Sequence, residues 1–209
     1  MAKDTLKEFY PKMLSSFIKK YAKTQGKSLQ GTSTQLLANL SGYMIDKIIE
    51  IAKDLMKLSK KQTLGSREIL YAAKIFLTGQ LGKDAEKYLN TAMAKFNNTM
   101  PEGQVNPEAN NRSKAKRAGL TLPVARFRAI LKDNLPYKLG AGSAIALAAI
   151  VEYVLGEIIK IDTEKKITPR DIYMRISGDE ELDYLYGKTA IGGGVHPHIP
   201  RQLIKKANL

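Results

Sequence analysis

Apolar residues recur every three or four positions through most of the chain, the period of a helix that buries one face. Across 5–21 they fall at Leu6, Phe9, Tyr10, Met13, Leu14, Phe17 and Ile18. Pro11 sits one and a half turns in, so the spacing predicts a helix that starts late or bends there. The longest run is 33–58, with Leu36, Leu37, Leu40, Met44, Ile48, Ile51, Leu55 and Leu58 in register and no proline. Thr32 and Gln35 have the spacing of a capping box at its start. At 1.5 Å per residue this helix is roughly 40 Å long, and such a rod in a small domain requires a partner along much of it. A short basic loop at 60–65 precedes a third helix from Ser66, ended by Thr78 and Gly79, and 81–96 predicts a fourth.

Residues 97–111 are rich in Asn, Pro, Gly and Glu and show no period, the signature of a linker. The chain therefore divides into folded units at 1–97 and 112–209 joined by 98–111, which spans at most about 46 Å when extended. The second unit repeats the scheme of the first: a short helix at 124–132, a loop at 136–142, a long apolar helix at 143–161 and a short basic loop at 162–167. Thr168 then offers a cap, with Pro169 at the first helical position and Asp171 suited to the helix start. A last short helix covers 179–187, and 192–209 is irregular. The repeat is visible residue by residue: KKQTLGSREIL at 60–70 and EKKITPRDIY at 164–173 place Arg67 and Arg170 in matching positions. Two copies of short helix, loop, long helix, loop, short helix predict an all-α protein.

Charge changes the picture more than overall composition does. The 34 Lys and Arg outweigh 20 Asp and Glu, for a net +14, and each side of Asn111 holds 17 basic and 10 acidic residues. An excess shared equally by two folded halves points to a distributed surface for a polyanion rather than a basic tail. Cysteine is absent, which excludes disulfides and thiolate metal sites. Residues 1–8 are charged and lack the apolar core of a signal peptide, so the chain is not expected to be secreted. The apolar stretch 144–161 is interrupted by Glu152, Glu157 and Lys160. It reads as a buried helix, since a membrane span needs about 20 residues with few charges.

The quoted motifs resemble core histones, a different one in each half. KKQTLGSREILYAAKIFLTGQLGKDAEKYLNTAMAKF at 60–96 is similar to the end of histone two-B, including its loop, its SRE helix start and its added C-terminal helix. RAGLTLPVARFRAIL at 117–131 is similar to the opening of histone two-A, as are GAGSAIALAAIVEYVLGEII at 140–159, ITPRDI at 167–172, DEEL at 179–182 and GGVHPHI at 193–199. A fused two-B and two-A pair is similar to the histone doublets encoded by some giant DNA viruses of amoebae. The resemblance implies two histone folds in one chain forming an intramolecular handshake. Linkage then holds the halves at an effective concentration on the order of millimolar. It also implies a nucleosome-like particle made with a complementary histone three/four-like doublet or pair, in a virion, a viral factory or a host nucleus. Few residues precede the first helix and the chain ends soon after Lys205 and Lys206, so long modifiable tails are not expected.

Nucleosomal histones grip duplex DNA through phosphate contacts, helix N-termini and minor-groove side chains, without reading bases. In a handshake the first loop of one fold lies beside the second loop of the other. The resemblance therefore implies a pairing of Lys27 and Thr32 with Lys165 and Lys166, and of Lys138 with Lys61, Gln62 and Thr63. The helix at 124–132 brings Arg126 and Arg128, and the segment before it brings Arg112, Lys114, Lys116 and Arg117. Glu152, Glu157, Asp179, Glu180 and Glu181 match the two-A part of the nucleosomal acidic patch, a docking surface for basic peptides. That patch is thinned here, with Lys160, Gln80 and Tyr88 where the family carries acids. The alternative for 179–181 is plain helix-start electrostatics.

Other chemistry finds little support. His196 and His198 flank Pro197 without the further ligands that zinc needs, and the glycines at 192–194 lack the GK[ST] of a phosphate loop. No serine has a nucleophile motif around it. No catalytic residue, cofactor, small-molecule substrate or membrane contact is expected. A histone-fold transcription-factor subunit binding a defined DNA site is the rival reading. Lys61, Lys138 and Lys166 align with positions where core histones usually place arginine, while Arg126 keeps it. Lysine is more strongly hydrated and suits a narrow groove less well, so wrapping is expected to be loose and salt-sensitive. The triple variant Lys61→Arg, Lys138→Arg, Lys166→Arg is expected to raise the salt concentration that releases DNA, and an unchanged release point contradicts this expectation.

Overall fold

The structure is a computed structural model that describes residues 5–98, 113–161 and 166–187, with the backbone alone at 5–12. In chain order the elements are α1 (Thr5–Thr24), α2 (Gly31–Ser59), β1 (Thr63–Leu64), α3 (Ser66–Phe76), α4 (Gly79–Asn98), α5 (Lys114–Ala118), α6 (Val124–Asn134), β2 (Lys138–Leu139), α7 (Ser143–Ile159), α8 (Pro169–Ser177) and α9 (Glu180–Tyr186). The fold is all-α apart from the two-residue strands, as the periodicity predicts.

Fourteen of the 17 residues of α7 are buried. A helix apolar on every side needs cover on every side, and α2, α3, α4 and α6 supply it. Three of those four helices belong to the other half of the chain. Met44 in α2 and Val151 in α7 are both buried in a single cluster that draws on both halves. The two long helices thus share one core rather than heading separate bodies.

Backbone hydrogen bonds tie the loops across the halves at two places. β1 and β2 pair in parallel, Thr63 opposite Lys138 and Leu64 opposite Leu139. The Lys138 N–H donates to the Gln62 carbonyl at 3.0 Å and the Gly140 N–H to the Leu64 carbonyl at 2.9 Å. At the second place Leu29 bridges Ile167. The Ile167 N–H donates to the Ser28 carbonyl at 2.8 Å, and its own carbonyl accepts from the Gln30 N–H at 3.1 Å and from the buried Ser33 hydroxyl at 2.7 Å.

That second tie corrects one sequence expectation. The capping box of Thr32 and Gln35 does not form; α2 starts at Gly31 after Gln30, which makes no side-chain cap. Gln30 is held instead by the other half, where the Ile167 carbonyl takes its N–H and the Ser33 hydroxyl. By contrast, Thr168 caps α8 as expected, and Asp171 goes further by completing a capping box: its N–H donates to the Thr168 hydroxyl at 3.3 Å and its carboxylate accepts from the Thr168 N–H at 2.8 Å. The α1 helix does not start late: it begins at Thr5 and includes Pro11, whose nitrogen cannot donate a backbone bond. Gly79 opens α4 rather than ending α3. Its φ of +67° lies in the left-handed region, and a side chain there would occupy the Glu181 carboxylate.

Glu181 explains that glycine. From α9 it reaches α4, where its carboxylate accepts from the N–H groups of Gln80 at 2.6 Å and Leu81 at 2.7 Å. Those are orphan donors of a helix start, met by an acid 100 residues away. Glu152, in the middle of α7, does similar work inside the core. It accepts from the Tyr88 hydroxyl at 2.9 Å and from the N–H groups of Thr121 at 2.9 Å and Leu122 at 2.7 Å. One carboxylate therefore pins α4 and the segment entering α6 onto α7.

Burial pushes the Glu152 carboxyl above its usual range, against the three bonds that favour its ionised form. The folded protein consequently holds this proton more tightly than the unfolded chain does. Stability from this group is present below the ordinary glutamate pKa and is lost as pH rises toward the folded-state value. Urea unfolding at stepped pH is expected to show wild type losing stability relative to Glu152→Gln over that window, then no further change. Glu152→Ala strands the buried Leu122 N–H and the half-buried Thr121 N–H and is expected to cost about 2–4 kcal/mol. A loss under about 0.5 kcal/mol would place Glu152 outside the framework of the core.

Candidate nucleic-acid interface

The two tied loop pairs bring together the residues that the sequence singles out. At the β1–β2 pair, Lys61, Gln62 and Thr63 stand beside Lys138, and all four are exposed. At the Leu29–Ile167 pair, Lys27 and Thr32 stand beside Lys166, with Thr32 and Lys166 exposed. Lys165 and Arg112 lie outside the described residues.

The lysines are not equivalent. Lys27 is half-buried, and its ammonium donates to the Ile161 carbonyl at 2.7 Å, just beyond the end of α7. A cation there satisfies the carbonyl end of the helix, so Lys27 serves the fold directly. Lys61 pairs with Glu68 at 2.6 Å. Among the described residues, no ion pair restrains Lys138 or Lys166.

Helix α6 buries Val124, Phe127, Ile130 and Leu131, a spacing of three and four that turns Arg126 and Arg128 outward, where both are exposed. The short α5, an element that the apolar spacing does not predict, is capped by Ser113, whose hydroxyl accepts from the Lys116 N–H at 3.4 Å. Lys114 and Lys116 are exposed on it. Arg117 is different: it is buried, with its guanidinium 4.5 Å above the Phe96 ring. It faces the core side of α5 with Ala118, which removes it from the exposed cations and makes it a cation–π contact to α4. A run of five residues offers no periodicity from which to tell its inner face.

Most carboxylates of the acidic set are engaged with nearby groups. Glu152 is buried and fully engaged, and Glu181 caps α4, as described above. The Asp179 side chain caps α9 by accepting from the N–H groups of Glu181 and Leu182, each at 3.2 Å, and it pairs with Arg175 at 3.2 Å. Glu157 is largely covered and pairs with Lys160 at 2.6 Å. Glu180 remains exposed at the start of α9. Four of the five carboxylates are thus committed to helix ends, the core or a neighbouring cation.

Two further cations take positions that the sequence reading did not assign. Arg67 is the second residue of α3 and Arg170 the second of α8, both exposed, so each follows one of the tied loops directly. Their matching places in the internal repeat were the available signal. Among the described residues, no group of three His, Cys, Asp or Glu could hold a metal ion, and no helix is long and apolar enough to cross a membrane. His196 and His198 lie outside those residues, as does the segment from 188 onward.

No family model matches the chain. Curated relatives do. The chain is 40% identical over 103 residues to histone H2A variant 1 of Arabidopsis thaliana, which covers 45% of this chain and 76% of the relative. It is 40% identical over 105 residues to histone H2A.Z of Eremothecium gossypii, covering 46% and 79%. It is 35% identical over 111 residues to histone H2A of Agaricus bisporus, covering 49% and 80%. The likeness takes in more than three-quarters of each of these histones while leaving about half of this longer chain beyond it. On that identity and coverage, the chain belongs to the histone H2A family.

Proposed function

We propose that the chain is a DNA-packaging histone doublet, a two-B-like half fused to a two-A-like half. In this reading it wraps duplex DNA through phosphate and minor-groove contacts, together with a complementary histone three/four-like partner. The observation that carries the proposal is the pair of cross-half loop ties, each setting exposed lysine and threonine side chains from both halves side by side. Arg126 and Arg128 extend the same exposed basic character along α6. Contacts of this kind hold the phosphate backbone and carry no base sequence, and the net +14 supplies the attraction.

The partner is supported by what the pair leaves uncovered. Leu58 at the end of α2, with Tyr71 and Ile75 one turn apart on α3, are large apolar side chains exposed to water. A complementary unit would cover them. Association with DNA in a virion, a viral factory or a nucleus follows from this reading.

Reconstitution with histone three/four-like candidates on DNA, followed by nuclease digestion, tests the proposal. The expected result is protection of long DNA irrespective of its sequence. Protection of one short defined site would favour a transcription-factor subunit instead. Arg126→Ala and Arg128→Ala are each expected to weaken binding equally across sequences and to lower the salt slope by about 1.

A further inference from the structure

Lys61 and Lys138 flank the same β1–β2 tie, yet their ammonium groups are differently placed. Lys61 Nζ lies 2.6 Å from one oxygen of Glu68, whose other oxygen accepts from the Gly65 N–H at 2.9 Å. The Lys61 side chain is 56% exposed and that of Glu68 only 12%. This separates the pair from ordinary surface pairs such as Lys57 and Asp54, whose side chains are 60% and 65% exposed. In a surface pair both groups regain water on parting, which is why such pairs contribute little. Glu68 regains much less. When Lys61 swings out to a phosphate, the carboxylate stays in its recess with backbone donors alone.

Burial works to raise the proton affinity of Glu68. The bond from Lys61 and those from the N–H groups of Glu68 and Gly65 outweigh it and hold the carboxyl below its usual range. Glu68 is therefore an anion at neutral pH, anchored at the start of α3 by a cap that the fold needs. Its position in the first turn is fixed by the helix, so it cannot follow Lys61 outward.

We infer that Glu68 is a built-in counterion for Lys61, which competes with DNA phosphate for this cation and leaves Lys138 as the principal contact of the β1–β2 loop pair. The inference rests on the DNA-packaging reading above and adds to it a positioning residue that sets how strongly one loop grips. Each phosphate contact contributes by releasing a condensed counterion. A lysine already neutralised by a fixed carboxylate contributes less of that release.

Glu68→Gln keeps an oxygen for the Gly65 N–H and removes only the charge, so the cap and the fold are retained. On a short duplex of mixed sequence at about 0.15 M salt, this variant is expected to bind roughly three- to tenfold more tightly than wild type, with a salt slope steeper by about 0.9. The double variant Lys61→Gln, Glu68→Gln is expected to lose that gain. In the free protein, an amine-acylating reagent is expected to modify Lys61 more slowly than Lys138, and at a similar rate in Glu68→Gln. Equal acylation rates at the two lysines of wild type overturn the inference whether or not DNA is bound. Unchanged affinity in Glu68→Gln, or a gain that survives in the double variant, also overturns it. A wild-type chain that ignores DNA, with Lys61 still protected, overturns the functional reading alone.

Discussion

The structure depends on the burial of one helix. α7 carries apolar residues around nearly its whole circumference, and its own half of the chain supplies only part of the cover. Left with α6 and α8 alone, it would expose a contiguous apolar surface of the kind that drives association. The long α2 and the helices α3 and α4 close over it from the other half. Each half therefore completes the other, and their separation would expose the core of both. Covalent linkage turns that mutual need into an intramolecular event, independent of how much protein is present.

The basic surface is a consequence of this packing rather than an addition to it. Crossing α2 over α7 places the loops at their ends side by side, and the short parallel backbone pairs lock them there. Exposed cations from both halves then share the same two edges. Acidic side chains are drawn the other way. Glu152 and Glu181 satisfy backbone N–H groups that would otherwise be orphaned, and Asp179 and Glu68 do the same at the starts of α9 and α3. Using acids as caps keeps their charge at helix N-termini, where it is favourable. The histone H2A relationship covers about half of the chain, and the helices of the other half complete its core.

Much of this was legible beforehand because the signals are local. Helical spacing located the elements to within a few residues, and Thr168-Pro169 with Asp171 marked a helix start that the backbone adopts. The duplicated motif around Arg67 and Arg170 predicted two similar units. The resemblance to histones then implied which loops would meet. What escaped were interactions between residues far apart in the chain. Nothing near Gln30 announces that Ile167 will satisfy its N–H, so the local signal of Thr32 and Gln35 misled. Glu152 and Glu181 read as surface acids because their backbone partners belong to other elements, whereas Asp179 caps its own α9, the helix-start role open to it from the sequence. Arg117 looked like one more cation in a basic run until Phe96, 21 residues earlier, is brought beneath it.

Hydrogen exchange of individual backbone amides in the free, full-length chain tests the central claim most directly. The N–H groups of Gln30, Lys138, Gly140 and Ile167 donate across the two halves. If the halves clasp one another, these four amides exchange as slowly as those in the centres of α2 and α7, at every protein concentration. Rapid exchange of the four alongside protected helix centres, or protection that appears only as concentration rises, would contradict it.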